Sequence, residues 1–297
     1  MPITAVGLTT ADFANRLTDL PECLDRFEKL GVDSVELSIG AFDIILNASV
    51  APFRLAELKR ICADRPLTYT VHGPVASRFT DRRQLQSQVD VCRAVLEVSG
   101  ELGATAQVHH SGGSPHSDAA ERANVMAMER DALREIAPHA EACGVPLCVE
   151  NIFGDDQTWF ASPAELAQQI QAVGHPFIQG TIDFSHAAIN AGQRGFDLMG
   201  SLAAMAPVAG HLHIHDSFGK PMSWTPYTYG ENVMFGMGDI HLPPGWGAID
   251  WEAIAALDYR RNVVANLELS TRFEDALDDS IALVRRMIEI SQAANAA

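Results

Sequence analysis

A chain of 297 residues, 47% hydrophobic and 20% charged, can bury a large core and does not have the composition of a disordered segment. Its formal charge of −17 disfavours an extended basic footprint on nucleic acid or on an anionic membrane. Cys23, Cys62, Cys92, Cys143 and Cys148 are odd in number, widely spaced and free of C-x-x-C pairs. That argues against a disulfide framework or a thiolate zinc site and favours a reducing, cytoplasmic setting. The first residues carry no basic run before a short apolar stretch, and nothing approaches the roughly 18 apolar residues of a membrane span, so no membrane association is expected.

Short β-rich runs alternate with segments of helical period along the whole chain. Residues 3–8 predict a strand and about 12–30 a helix stopped by Gly31; 34–39 precede a helix near 52–63; 67–72 precede 81–102, stopped by Gly103. Strand 105–110 leads to a long helix over 118–143 with Gly144 as its stop, and 146–151 leads to 163–173 with Gly174. Strand 178–183 precedes a helix near 196–206, and strand 211–216 precedes a long irregular stretch over about 217–249, rich in Gly, Pro and aromatics. A helix at 251–257, a strand at 263–269 and a last helix at about 273–293 complete the series. Eight strand and helix signals without a linker or a break in composition favour one (β/α)₈ barrel occupying 1–297 as a single domain. An open doubly wound sheet is weakened because no G-x-G-x-x-G follows the first strand.

In such barrels the reactive groups stand at the C-terminal ends of the strands. Six consecutive strands here end in a residue able to bind a metal: His72, His110, Glu150, Asp183, His213 and Glu268. Carboxylates and imidazoles gathered in one partly buried mouth remain unpaired or repel unless cations neutralise them. Asp183-Phe-Ser-His186 adds a second ligand type one turn past a strand end, though Asp183 could equally serve as a helix N-cap. Asp239-Ile-His241 adds a pair in the long seventh loop. Period-two alternation lets only one of His109 and His110 face the barrel interior and leaves open which. His211, His213 and His215 share one strand face, which puts His211 in a deeper layer and leaves His215 to support the ligands or touch substrate.

In this order the motifs resemble the xylose-isomerase-like barrels, a superfamily that includes endonuclease IV and many sugar isomerases and epimerases. They are His-Gly-Pro after strand three, His-Ser-Gly after strand four, Glu-Asn after strand five, Asp-x-x-His after strand six, His-x-x-Asp-Ser on strand seven, Asp-x-His in the next loop and a Glu ending strand eight. Carried over residue by residue, the resemblance implies metal ligands at His72, His110, Glu150, Asp183, His186, His213, Asp239, His241 and Glu268, a set similar to a trinuclear zinc cluster. The smaller set of the sugar epimerases corresponds to Glu150, Asp183, His213 and Glu268. There Glu150 and Glu268 would also move protons on either face of the substrate carbon and so be the catalytic residues.

Departures from endonuclease IV point to a smaller substrate. The loop at 73–79 is short and has one Arg, where a DNA enzyme needs basic and bulky side chains on the duplex. The seventh loop carries Phe218, Lys220, Trp224, Tyr227, Tyr229 and Trp246, a mixture suited to covering and bonding a small polyol. With His215, the residues Lys220, Trp224 and Trp246 are the candidate substrate contacts. The expected function is isomerisation or epimerisation, or a related elimination, of a small carbohydrate, in which one to three divalent cations, Zn²⁺ or Mn²⁺, polarise a carbonyl while a carboxylate shifts the adjacent proton. The alternatives are a multinuclear hydrolase of phosphodiesters and a sugar-binding barrel without turnover. The expected partner is a small-molecule carbohydrate; nucleic acid is disfavoured, and a homo-oligomer is left open.

Overall fold

The computed structural model describes residues 2–115, 118–155 and 157–296. Its frame is eight strands: β1 (Ile3–Thr9), β2 (Ser34–Ser38), β3 (Thr68–His72), β4 (Gln107–His110), β5 (Leu147–Glu150), β6 (Ile178–Asp183), β7 (Ala209–Ile214) and β8 (Val263–Leu267). Each pairs in parallel with its sequence neighbours, and β8 returns to β1 with Val6 opposite Ala265 and Leu8 opposite Leu267, closing a single (β/α)₈ barrel. Closure removes every exposed edge from the main sheet.

Alternation along each strand sorts the side chains into two interiors. Val35, Leu37, Leu212, Ile214, Ala265 and Leu267 join the apolar layer between barrel and helices. Their neighbours Glu36, His211, His213 and Asn266 are equally buried but bond to one another inside the barrel. Bulky aliphatic residues ordinarily fill that space. A polar filling there requires partners for each group, and the partners come from different strands.

The helices are α1 (Leu20–Leu30), α2 (Pro52–Cys62), α3 (Leu85–Leu102), α4 (Ala119–Cys143), α5 (Pro163–Val173), α6 (Phe184–Arg194), α7 (Leu198–Met205), α8 (Tyr229–Phe235), α9 (Trp251–Ala255) and α10 (Leu277–Ala296). Gly31 and Gly144 end α1 and α4 at φ 73° and 71°, the left-handed turn that spares a side chain its steric penalty. Among the described residues, no helix is long and apolar enough to cross a membrane.

Three departures from the sequence expectation have local causes. The first helix starts at Leu20 rather than near residue 12, because residues 11–19 fold as turns with Asp12 at φ 62° and with Ala14 and Leu17 buried, and Pro21 then opens the helix. The third helix starts at Leu85 rather than near 81, because a turn at Asp81 precedes it, with Gln84 N donating to Asp81 O at 3.1 Å and Arg83 N to the Asp81 carboxylate at 2.9 Å. After β6, two helices replace the one expected near 196–206: α6 begins directly at Phe184, its first turn capped by the Asp183 carboxylate, which accepts from His186 N at 2.7 Å, and α7 follows at Leu198.

The long stretch after β7 is also less irregular than expected. It contains α8, whose Thr228 and Glu231 form a reciprocal cap. At its base the buried Asp216 carboxylate accepts from Ser217 N at 2.9 Å, Gly245 N at 2.8 Å and Trp251 Nε1 at 3.0 Å. Those bonds fold the stretch back over the mouth. A Cβ at Gly247 would stand 2.2 Å from Asp216 Oδ1, so only glycine lets the loop approach this closely.

Candidate active site

The strand ends converge on Glu150. Its Oε2 lies 3.5 Å from His72 Nε2 and 3.4 Å from His110 Nε2; its Oε1 lies 3.1 Å from His186 Nδ1 and 3.4 Å from His213 Nδ1. Glu268, one residue past β8, brings Oε2 to 3.3 Å from the same His213 Nδ1. Asp183 Oδ2 stands 3.4 Å from His186 Nδ1 and 2.8 Å from His215 Nε2. From the loop after β7, Asp239 Oδ2 reaches His241 Nε2 at 2.8 Å and His186 Nε2 at 3.2 Å. The nine residues expected as ligands thus lie in one contiguous group at the C-terminal mouth.

Four rings in the group are held from behind. His72 Nδ1 is 2.7 Å from Gly73 O, His241 Nδ1 is 2.7 Å from Glu268 O, His186 Nδ1 is 3.2 Å from Asn151 O, and His213 Nε2 is 3.3 Å from Glu36 Oε2. A nitrogen that donates to a carbonyl or carboxylate carries the ring proton, so the opposite nitrogen offers its lone pair to the group. Asn151 fixes the base of Asp183 as well, accepting from Asp183 N at 3.1 Å and donating to Asp183 O at 2.8 Å.

This donor set fits a divalent cation. Glu150 Oε2, His213 Nδ1 and His215 Nδ1 are buried and have no hydrogen-bond partner, an arrangement that is costly unless something charged joins them. His72, His110 and Glu150 bring ligand atoms within 4.8 Å of one another, as do His72, His213 and Glu268, and His215, Asp239 and His241. Mixed imidazole and carboxylate ligands suit Zn²⁺ and Mn²⁺.

The charges respond to this crowding. Burial disfavours the imidazolium of His72, yet Glu150, Glu36 and Glu268 push it up to about 9; His241, against the same penalty, is pushed up to about 10 by Asp239 and Glu268. His110 goes the other way, to about 4, because burial and the neighbouring His72 outweigh Glu150. Burial would raise both Glu150 and Glu268. His213 and His110 overcome it at Glu150 and hold that carboxyl well below the usual range, whereas Glu268 stays raised under the added charge of Glu36. The two glutamates at one position therefore differ in basicity.

His110 faces the group while His109 points away and stacks on Phe79 at 4.1 Å, as alternation requires. His211 lies in the deeper layer, 2.9 Å from Glu36 Oε2. His215 has no exposed surface, and its ring lies parallel to His241 at 4.0 Å, inside the group. The other three candidate substrate contacts are not drawn into the group. Lys220 lies 6.0 Å over Phe218, Trp224 packs on Phe235 at 4.9 Å and Trp246 on Phe273 at 5.7 Å.

A cavity of about 340 Å³ opens beside the group, lined by Thr9, Asp12, Tyr229, His241, Glu268 and Ser270. Sequence reading had not drawn Asp12, Glu36, Asn151 or Asn266 into the site. Glu36 was the detectable one, since a carboxylate inside the five-residue strand Ser-Val-Glu-Leu-Ser has no solvent to face.

A family model described as a xylose isomerase-like TIM barrel matches residues 24–287. The chain belongs to that family. No curated protein matches the sequence of this xylose isomerase-like barrel. Among solved structures it is similar to a D-tagatose 3-epimerase-like protein, with TM-score 0.71 and 16% identity over 98% of this chain and 99% of that one. An IolI protein with a bound zinc atom gives TM-score 0.69 and 16% identity over 98% and 99%. A 3-keto-D-glucoside 4-epimerase from E. coli gives TM-score 0.66 and 17% identity over 95% and 98%.

Proposed function

We propose that this chain is a metal-dependent enzyme that isomerises or epimerises a small carbohydrate or sugar derivative. The observation that carries this reading is the meeting of Glu150 Oε1 and Glu268 Oε2 at His213 Nδ1, 3.4 and 3.3 Å away, beside a cavity of about 340 Å³. A divalent cation held by Glu150, Asp183, His213 and Glu268 would polarise a carbonyl and its neighbouring hydroxyl, which acidifies the C–H between them. Glu150 and Glu268, each within 3.4 Å of His213 Nδ1, are then the groups that take up and return the proton. Tyr229, carried by α8, lines the cavity beside His241 and Glu268. The names of the structural relatives, two epimerases among them, favour the same chemistry.

A second reading, hydrolysis of a phosphodiester by clustered cations, is favoured by the additional group of His186, Asp239 and His241. The surface speaks against it. The chain carries −17 charges, and the one Arg of the 73–79 loop, Arg78, lies over the Phe160 ring.

The test is solvent deuterium exchange. Protein loaded with Zn²⁺ or Mn²⁺ is expected to place deuterium beside the carbonyl of at least one sugar in a panel of ketoses and keto-glycosides. Glu150→Gln and Glu268→Gln should each lower that exchange by about 10²–10⁴-fold while leaving the circular dichroism spectrum unchanged. Efficient cleavage of abasic DNA at physiological salt, with no exchange into any sugar, would establish the hydrolase instead.

A further inference from the structure

Below the ligand group, the barrel interior holds a carboxylate that the reaction does not use directly. Glu36 on β2 has no exposed surface. Its Oε2 is shared by His211 Nε2 at 2.9 Å and His213 Nε2 at 3.3 Å, and its Oε1 accepts from Asn266 Nδ2 at 3.1 Å. Three strands, β2, β7 and β8, supply this layer, and β1 makes room for it: a Cβ at Gly7 would come within 2.8 Å of Asn266 Oδ1. A buried carboxylate that serves packing alone is a poor substitute for an aliphatic residue, because its desolvation offsets what its partners return. Its geometry indicates another use.

The two nitrogens of His213 face carboxylates on opposite sides, Glu36 below and Glu150 with Glu268 above, so this ring links the deep layer to the ligand group. A ring in that position can present either nitrogen upward with the proton on either side. We infer that Glu36 is a positioning residue, which keeps the His213 proton on Nε2 and aims the Nδ1 lone pair at the space between Glu150 and Glu268. His211, its ring at 88° to that of His213 and 5.2 Å away, props the carboxylate from the other side. Asn266 fixes the remaining oxygen, so the carboxylate cannot rotate away. The inference rests on the metal reading given above.

The experiment titrates Zn²⁺ calorimetrically, against a competing chelator, into metal-free wild type, Glu36→Gln and Glu36→Leu. Proton–nitrogen spectra of histidine-labelled protein accompany each titration. Wild type loaded with Zn²⁺ should carry the His213 proton on Nε2. Glu36→Leu should bind the tightest Zn²⁺ about 10–100-fold more weakly and lose that signature, with Glu36→Gln in between because its amide oxygen still accepts. Should the leucine variant not fold, the glutamine variant carries the test. A lower melting temperature with unchanged Zn²⁺ affinity and unchanged His213 protonation would overturn the proposal, making Glu36 a structural ion-pair partner. A wild type that takes up no Zn²⁺ would overturn the metal reading itself, which is a distinct result.

Discussion

At the scale of single residues, the buried acids outside the ligand group show most directly what burial costs. Glu129 on α4 is buried and accepts from Gly112 N at 2.7 Å, which pins the loop after β4. Burial, only partly offset by that bond and by Arg130, pushes its carboxyl up to about 7 from an ordinary 4.5. An acid that is weaker in the native state than in the unfolded chain costs nothing below pH 4.5, costs progressively more as pH rises, and reaches its full cost above pH 7. Glu129→Gln keeps the acceptor and removes the charge. It should therefore stabilise the protein at pH 8 by up to roughly 3 kcal/mol and have little effect at pH 4. Urea denaturation at the two pH values measures this; an equal difference at both would show that charge is not the cause.

Most of the candidate ligands were legible in the sequence because they end a strand or sit one turn beyond it, where type and position coincide; Asp239 and His241 lie far along the loop after β7 and were carried by their D-x-H spacing and the resemblance. Glu36 was not read because it lies mid-strand, and its partners His211, His213 and Asn266 are more than 170 positions away. Only the closed barrel makes them neighbours.

Among the elements, the stretch after β7 has the largest influence on the site, since it carries Asp239, His241 and Tyr229. His241 adopts a positive φ of 42°, and its ring lies within hydrogen-bond distance of Glu268 O and Asp239. Asp239→Asn combined with His241→Asn should lower bound metal by about one equivalent while the Glu150 and Glu268 centre keeps its own. Elemental analysis of the double variant checks this, and unchanged metal content would reduce the pair to loop structure. The helix α8 in this stretch was legible in principle from Thr-Tyr-Gly-Glu, a capping sequence, but the surrounding Gly and Pro hid it. The opening helix was misread for the opposite reason: residues 12–19 show helical period, yet Leu17 and Ala14 are buried by turns.

For the whole molecule, the fold was legible because alternating strand and helix signals, each stopped by glycine, admit few architectures of this length. What period could not reveal was the polar interior of the barrel, which depends on which strands meet. That interior leaves the metal-free protein with crowded carboxylates and imidazolium groups in place of an aliphatic plug. Removing divalent cations should accordingly lower the melting temperature by roughly 5–10 °C, as expected for a ligand present at about 100 times its dissociation constant. Differential scanning calorimetry with and without chelator decides it. An unchanged transition would mean that the cluster holds no cation under those conditions.

The pairing of β8 with β1 joins residues such as Val6 and Ala265, which lie far apart in the sequence. Strands β1 to β7 can leave the ribosome and begin to associate, yet the sheet keeps two open edges until the eighth strand arrives. Glu268 follows that strand by one residue, and His241 hangs from its main-chain carbonyl. The nascent protein can thus gather His72, His110 and Glu150 early, but the position between Glu150 and Glu268 comes into being only when the ring of strands shuts. Completion of the candidate site and topological closure are, for this chain, the same event.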